Sequence, residues 1–394
     1  MALVKSTRIE SIDLLRGIVM VLMALDHVRD YFHYDASLHD PTDLETTTPI
    51  LFFTRFITHY CAPVFVFLAG TSAFLYGSNK TKTKLFRFLF TRGLWLILLE
   101  IGVNSLNWTF DLSYSFVVLQ VIWAIGVSML CLSFLVFLPR KLIAVIGIVL
   151  VVGHNALDPI TMKGNAIESV IWYMLHQANG IPVGDATFVY FAYPVIPWIG
   201  LIALGYCLGS LYTRGYDRFL RKKWLLGLGF GSIILFFILR GINVYGDLVP
   251  WSEQDTLSKT ILSFFKVTKY PPSWAYLLIT MGPSLVLLHY LEYVKNYIGD
   301  ILLVFGRVPL FYYFLHVFVI HVGAILGVIL FNENGMALVS SISGNPIAGL
   351  AAHGYSLFTT YVIWIVIVTL LYFPCRKYMI YKINNKHKWW LSYL

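Results

Sequence analysis

Apolar windows of helical length recur along the whole chain, at roughly 12–32, 56–78, 85–103, 116–138, 142–155, 191–212, 224–245, 274–294, 301–330 and 355–375. A hydrocarbon core about 30 Å thick needs about 20 apolar residues per helical crossing. Inside it every backbone polar group has to be satisfied within the chain. The windows therefore predict an all-α, polytopic transmembrane bundle of about ten spans, nine to eleven, in which the fifth is short and the ninth is long enough to hold a break. Composition agrees: 58% of residues are hydrophobic, 12% are charged and the mean hydropathy is +0.73, far from the soluble range.

The net charge of +9 could point to nucleic acid, but its placement excludes that partner. With the N-terminus inside, most of the 29 basic residues gather on the cytoplasmic side. They begin with Lys5 and Arg8, then Lys80, Lys82, Lys84, Arg87 and Arg92, and end in a basic tail from Arg376 to Lys388. This is the positive-inside pattern, and it predicts that both termini are cytoplasmic. Met1–Glu10 has no small-residue cleavage site behind a short apolar core, so the first apolar segment is expected to be retained. Cys61, Cys131, Cys207 and Cys375 stand singly, which predicts no disulfide framework and no metal cluster.

The chain reads as one domain over 1–394, with a motif-rich half at 8–110 and a second half at 190–376. Outer loops at about 33–55, 153–190, 243–273 and 331–354 are long and aromatic, the mark of packed functional loops. His27, His33, His39, His59, His154, His176, His316, His321 and His353 fall on that outer side, and His289 and His387 on the inner side. No His pair has the spacing of a dedicated zinc motif, so no metal is predicted.

The first window carries charges that a plain anchor would not keep. Asp13 and Arg16 lie at one end and Asp26, His27 and Asp30 at the other, with Gly17 to Leu25 uncharged between them. Arg16 to His27 spans about 16 Å of helix at about 1.5 Å per residue. Unless both ends snorkel or the bilayer thins, at least one of the two groups must then lie inside the membrane, where ionisable side chains mark function. Eleven residues is close to three turns, so the two share a face and read as the ends of one internal pathway. Asp13 and Arg16 can simply pair, at i,i+3. Asp30 or Asp26 could orient the His27 imidazole as a general base.

Two further clusters carry candidate chemistry. His59 opens the run His59 to Gly70, in which Gly70, Ala73 and Gly77 offer a small face for helix contact. Gly306 to His316 places Arg307 at the inner end, where it could bind a cytoplasmic phosphate or merely obey the charge rule. In the same run Tyr312 and Tyr313 lie where a hydroxyl could reach His316. Glu100 is a further buried acid whose structural reading is a pair with a loop arginine such as Arg55.

These stretches resemble a known family. Ser11 to Gly17, Met23 to Phe32 and His59 to Gly70, with Tyr193 to Gly200, Tyr270 to Ser273 and Gly306 to His316, are similar to the catalytic domain of heparan-α-glucosaminide N-acetyltransferase in its bacterial multi-pass members. Arg16, ten residues, then His27 also resembles the signature of the broader membrane acyltransferase group. The resemblance implies acetyl-CoA as acyl donor on the cytoplasmic side and a sugar or glycan acceptor on the outer side, in a multi-pass protein of the bacterial inner membrane. A homodimer is admitted. It implies a histidine base or acyl carrier among His27, His59 and His316, supported by Asp26. The substrate and cofactor contacts would come from Asp13, Arg16, Asp30, Arg307, Tyr312 and Tyr313. Lysosomal members carry asparagine at the position of His27 and a catalytic histidine in the following loop, where this chain offers His33 and His39. CoA phosphates would find cations in Lys80, Lys82, Lys84 and Arg307. The rival class is a proton-coupled secondary transporter or flippase, against which stands the lack of an inverted repeat.

Overall fold

The structure, a computed structural model, describes residues 8–36, 38–331, 336 and 354–392. Lys5, His353 and nearly all of the expected 331–354 loop lie outside them. The described residues form a polytopic membrane-helical protein. Six helical stretches are long and apolar enough to cross a bilayer: Pro49–Gly77, Arg140–Leu157, Arg218–Ile242, Trp274–Tyr293, Pro309–Phe331 and Leu357–Asn384.

Helix α1 (Glu10–Phe32) is buried on nearly every side, from Ile12 and Leu15 through Val19 to Leu25 and Val28. It is long enough to cross, but its charges set it apart from the six apolar stretches. A bent pair follows, α2 (Pro49–Thr58) and α3 (Cys61–Gly77). Thr48 starts α2 by accepting from Leu51 N, and Pro49 fills the first turn, where no intrahelical N–H is needed. Helix α4 (Lys82–Leu99) passes through a single π-helical turn at Glu100–Asn104 into the short α5 (Ser105–Thr109).

The fourth and sixth windows are only partly helical. Phe116–Leu119 is a strand, β1, and α6 covers only Val121–Leu135. After α7 (Arg140–Gly153) and α8 (Ile167–Leu175), strands β2 (Asn179–Val183) and β3 (Thr187–Phe191) form a hairpin. Strand β1 joins β3 in parallel, Phe116 opposite Phe188 and Leu119 opposite Phe191. Val117, Leu119, Phe191, Trp123, Tyr173 and Val195 make a second small core under this sheet. A short apolar run reads equally as strand or helix, which is why the sheet was not expected. The turn into β1 is set by Asp111, whose carboxylate accepts from the hydroxyls and backbone N–H groups of Ser113 and Ser115. Those bonds hold its carboxyl well below the usual carboxylate range.

The remaining helices are α9 (Ile196–Leu208), α10 (Arg218–Ile242), α11 (Leu257–Phe265), α12 (Trp274–Tyr290), α13 (Tyr297–Arg307), α14 (Pro309–Phe331) and α15 (Leu357–Asn384). The ninth window is indeed broken, between α13 and α14, because Pro309 keeps Val308 out of the helical region. Helix α1 packs against α13, α14, α15 and α3. At the α1–α13 crossing, Gly17 and Gly306 let the two backbones touch: a Cβ on Gly17 would overlap Leu302 O, and one on Gly306 would overlap Asp13 O. The expected small face of α3 is used in the same way, Gly70 lying on Ile202 O of α9. Helices α10 and α15 expose apolar rows such as Phe230, Ile234 and Phe237, and Ile365, Val366 and Phe373, which suit lipid contact.

Candidate active site

Near the C-terminal end of α1, His27 is buried beside His316 of α14. Nδ1 of His27 lies 2.8 Å from Nε2 of His316, and the rings stack 12° from parallel with centroids 4.9 Å apart. Nδ1 of His316 lies 2.9 Å from the backbone carbonyl of Tyr312. A carbonyl only accepts, so His316 donates from Nδ1 and, when neutral, is left with a lone pair on Nε2. His27 must therefore donate from its own Nδ1, which leaves the lone pair of neutral His27 on Nε2. Among the described residues that nitrogen has no hydrogen-bond partner. Two histidines thus form a directed chain that ends in the lone pair of His27 Nε2.

Aromatic rings fix the geometry. Trp108 of α5 meets His27 edge-on at 4.7 Å, and Tyr31 donates to Trp108 O at 2.7 Å. Tyr312 stacks on His316 at 4.9 Å, 9° from parallel, and Tyr313 stands edge-on to both histidines. The Tyr313 hydroxyl meets Asn104 Nδ2 and Trp108 Nε1, each at 3.4 Å. The hydroxyl expected to reach His316 is thus replaced by the Tyr312 carbonyl, one turn earlier on α14. Trp108 escaped the sequence reading because it follows the third window in a short stretch that carries no charged or histidine motif.

Asp26 and Asp30 do not orient His27. Arg55 Nη1 reaches both Asp26 oxygens, at 2.7 and 2.5 Å, Thr58 Oγ1 donates to Oδ1 at 2.9 Å, and Arg29 Nη2 lies 3.0 Å away. Arg29 also pairs with Asp30 at 2.6 Å. Adjacent residues on a helix point about 100° apart, so Asp26 serves α2 while His27 serves α14. Arg55 is thereby taken up by Asp26 rather than Glu100. Glu100 instead accepts from Gln120 N, Trp123 N and Asn104 Nδ2 at 3.0–3.1 Å, a carboxylate placed at the start of α6 where helix N–H groups are unpaired.

The other histidine candidates stand apart. His59 sits at the α2–α3 bend, its carbonyl accepting from Tyr276 OH at 2.8 Å and its Nδ1 buried without a hydrogen bond. In the loop after α1, His39 Nδ1 is 2.7 Å from Asp35, and His33 Nδ1 accepts from Asp35 N at 3.3 Å. None of the three has a hydrogen bond or ring contact with His27 among the described residues.

At the opposite end of α1, Arg16 donates to Asp13 Oδ1 at 3.0 Å, to Ser72 Oγ at 3.1 Å and to Gly306 O at 3.3 Å. Arg307 lies 3.8 Å from Asp13 and 3.7 Å from Glu10. Asp13, Arg16 and Arg307 therefore lock the α1–α13–α3 junction. Met20 and Met23, both buried, occupy the α1 face between Arg16 and His27, so the expected pathway is filled with flexible thioethers. At this same end a basic cavity of about 630 Å³ is lined by Lys80, Lys84 and Arg87 of the α3–α4 segment and by Lys382, Lys386 and Lys388 at the end of α15.

The family model described as heparan-alpha-glucosaminide N-acetyltransferase, catalytic, matches residues 8–241, more than half of the chain. It takes in His27, Asp26, Arg16 and His59, while Arg307 to His316 lie beyond the matched part. No curated protein matches the chain.

Proposed function

We propose that this chain, which belongs to the heparan-alpha-glucosaminide N-acetyltransferase catalytic family, uses His27 to move an acetyl or other short acyl group from acyl-CoA to an amine or hydroxyl of a sugar or glycan. At the level of the family it is a membrane acyltransferase. The observation that carries the proposal is the His27–His316 hydrogen bond at 2.8 Å.

The chemistry follows from the tautomers. The acceptor nitrogen or oxygen attacks the thioester carbonyl, forming the new C–N or C–O bond as its proton passes to His27 Nε2. His316 Nε2, the acceptor of the Nδ1 proton, favours the imidazolium that forms. The tetrahedral intermediate collapses with loss of the C–S bond, and His27 returns the proton to the departing thiolate. Positioned acid–base help of this kind contributes about 10²–10⁴-fold.

The donor end is supported by the basic cavity. Its volume is in the range of ligand pockets, and six Lys or Arg side chains suit the phosphates of CoA. The long pantetheine arm would then run along α1 toward His27, displacing Met20 and Met23, with the cavity cytoplasmic and the acceptor on the outer face of a bacterial inner membrane. Thiol release from acetyl-CoA by the purified full chain, with and without aminosugars, tests this. Acceptor-dependent release that His27→Ala abolishes in a folded protein is expected. No release with any acceptor, and no thermal shift with CoA, would sink the enzyme reading in favour of a transporter.

A further inference from the structure

A second histidine cluster lies away from His27 and takes no part in the chemistry above. Helix α7 tightens into a 3₁₀ turn at His154–Leu157, and Asp158 follows. His176 closes α8. One ligand-capable atom from each of His154, Asp158 and His176 lies within 4.8 Å of the other two, and His176 Nε2 is 3.0 Å from Asp158 Oδ1. Both histidines are 2% exposed. Neither ring nitrogen of His154 has a hydrogen bond, nor does Nδ1 of His176. More than about 90% of buried polar groups find a partner, so two adjacent buried imidazoles with unanswered nitrogens, beside a carboxylate, require an explanation.

We propose that His154, Asp158 and His176 bind a divalent transition-metal ion of the zinc type. Two imidazoles and a carboxylate are the donors zinc takes, whereas calcium and magnesium prefer all-oxygen shells. Bonds of about 2.0–2.1 Å set ligand atoms about 3.3 Å apart on a tetrahedron, so small side-chain rotations close the present triangle. The carboxylate already has its outer partner: Asn155 Nδ2 donates to Asp158 Oδ2 at 2.9 Å, and Asn155 Oδ1 accepts from Trp274 N at 2.9 Å. That bond fixes the carboxylate and leaves Oδ1 for the ion. The proton now shared by His176 Nε2 and Asp158 Oδ1 moves to His176 Nδ1 when the ion enters. Three protein ligands leave a fourth position for water. The ion would staple the end of α7 to α8, and so to the hairpin that begins at Asn179. The pattern His154, three residues, Asp158, seventeen residues, His176 matches no dedicated motif, which hides it in the sequence.

The test uses the full chain in detergent with a tag free of histidine, loaded with Zn²⁺ and dialysed against a weak chelator. About one zinc per chain by mass spectrometry, and a rise in Tm on adding Zn²⁺, are expected. His154→Ala and His176→Ala should weaken binding at least about 100-fold, beyond what second-shell changes cost. His387→Asn should leave it unchanged. If the alanine variants fail to fold, Co²⁺ in the wild type should give the visible bands of a tetrahedral ion, displaced by Zn²⁺. Zinc retained equally by His154→Ala, zinc lost in His387→Asn, or a wild type with neither bound zinc, Tm response nor cobalt bands would overturn the proposal.

Discussion

His27 of α1 and His316 of α14 stand 289 residues apart in the chain and meet at 2.8 Å. Because His316 Nδ1 is committed to the Tyr312 carbonyl, this one contact fixes the tautomer of both rings. It also ties a helix inside the residues matched to the family to one that lies beyond them. In the proposed reaction His316 orients His27 and favours its imidazolium, without touching the reacting atoms.

That distinction can be measured. His27→Ala should lower kcat/KM by about 10²–10⁴-fold. His316→Leu should lower it too, whereas His316→Gln, whose side-chain carbonyl can still accept the His27 Nδ1 proton, should recover much of the loss. The wild-type rate should fall toward acid pH as the base protonates, and His27→Ala should flatten that limb. Equal activity of His316→Leu and wild type would remove His316 from the mechanism.

Asp26 should behave as a structural residue. Removing one member of a buried ion pair leaves the other charge uncompensated, at about 3–5 kcal/mol. Asp26→Asn and Arg55→Met should each lower Tm in detergent strongly, while the double variant regains part of the loss. If Asp26→Asn instead kept its Tm and lost only turnover, Asp26 would return to the catalytic group.

What could be read in the sequence follows from where the signals lie. Charges inside an apolar run are visible without a fold, which is why Arg16 and His27 stood out at once. Their contacts are not visible, since Asp26 turns to Arg55 and His27 to His316 only through helix packing. A break in the ninth window was expected, but its place at Val308, set by Pro309, came only with the structure. Strand β1 was not, since Phe116-Val117-Val118-Leu119 is too short to show a period and owes its state to pairing with β3.

The basic cavity yields a kinetic prediction. Replacing Lys80, Lys84 and Lys386 together by Gln removes charges from the cavity proposed for the donor phosphates, at the end of α1 opposite His27. KM for acetyl-CoA should rise about tenfold or more with kcat nearly unchanged, the sign of lost uniform binding. The wild-type KM should also rise with salt, and the triple variant should lose most of that dependence. An unchanged KM at low salt would move the donor site elsewhere.

The α1–α13 crossing sets the Arg16 end of α1, because Gly17 and Gly306 bring α13 against α1 beside Asp13, Arg16 and Arg307. A methyl group at either glycine meets backbone oxygen, which cannot rotate away. Overpacking of this kind costs about 1–3 kcal/mol or more. Gly306→Ala should therefore lower Tm and also disturb the Arg16 bond to the Gly306 carbonyl, weakening donor binding as well as the fold. Gly227→Ala, on α10 where an added Cβ meets nothing within 4 Å, serves as the control and should leave donor binding unchanged and Tm no lower. A Gly306→Ala variant as stable as Gly227→Ala would mean that α1 and α13 do not touch at this point.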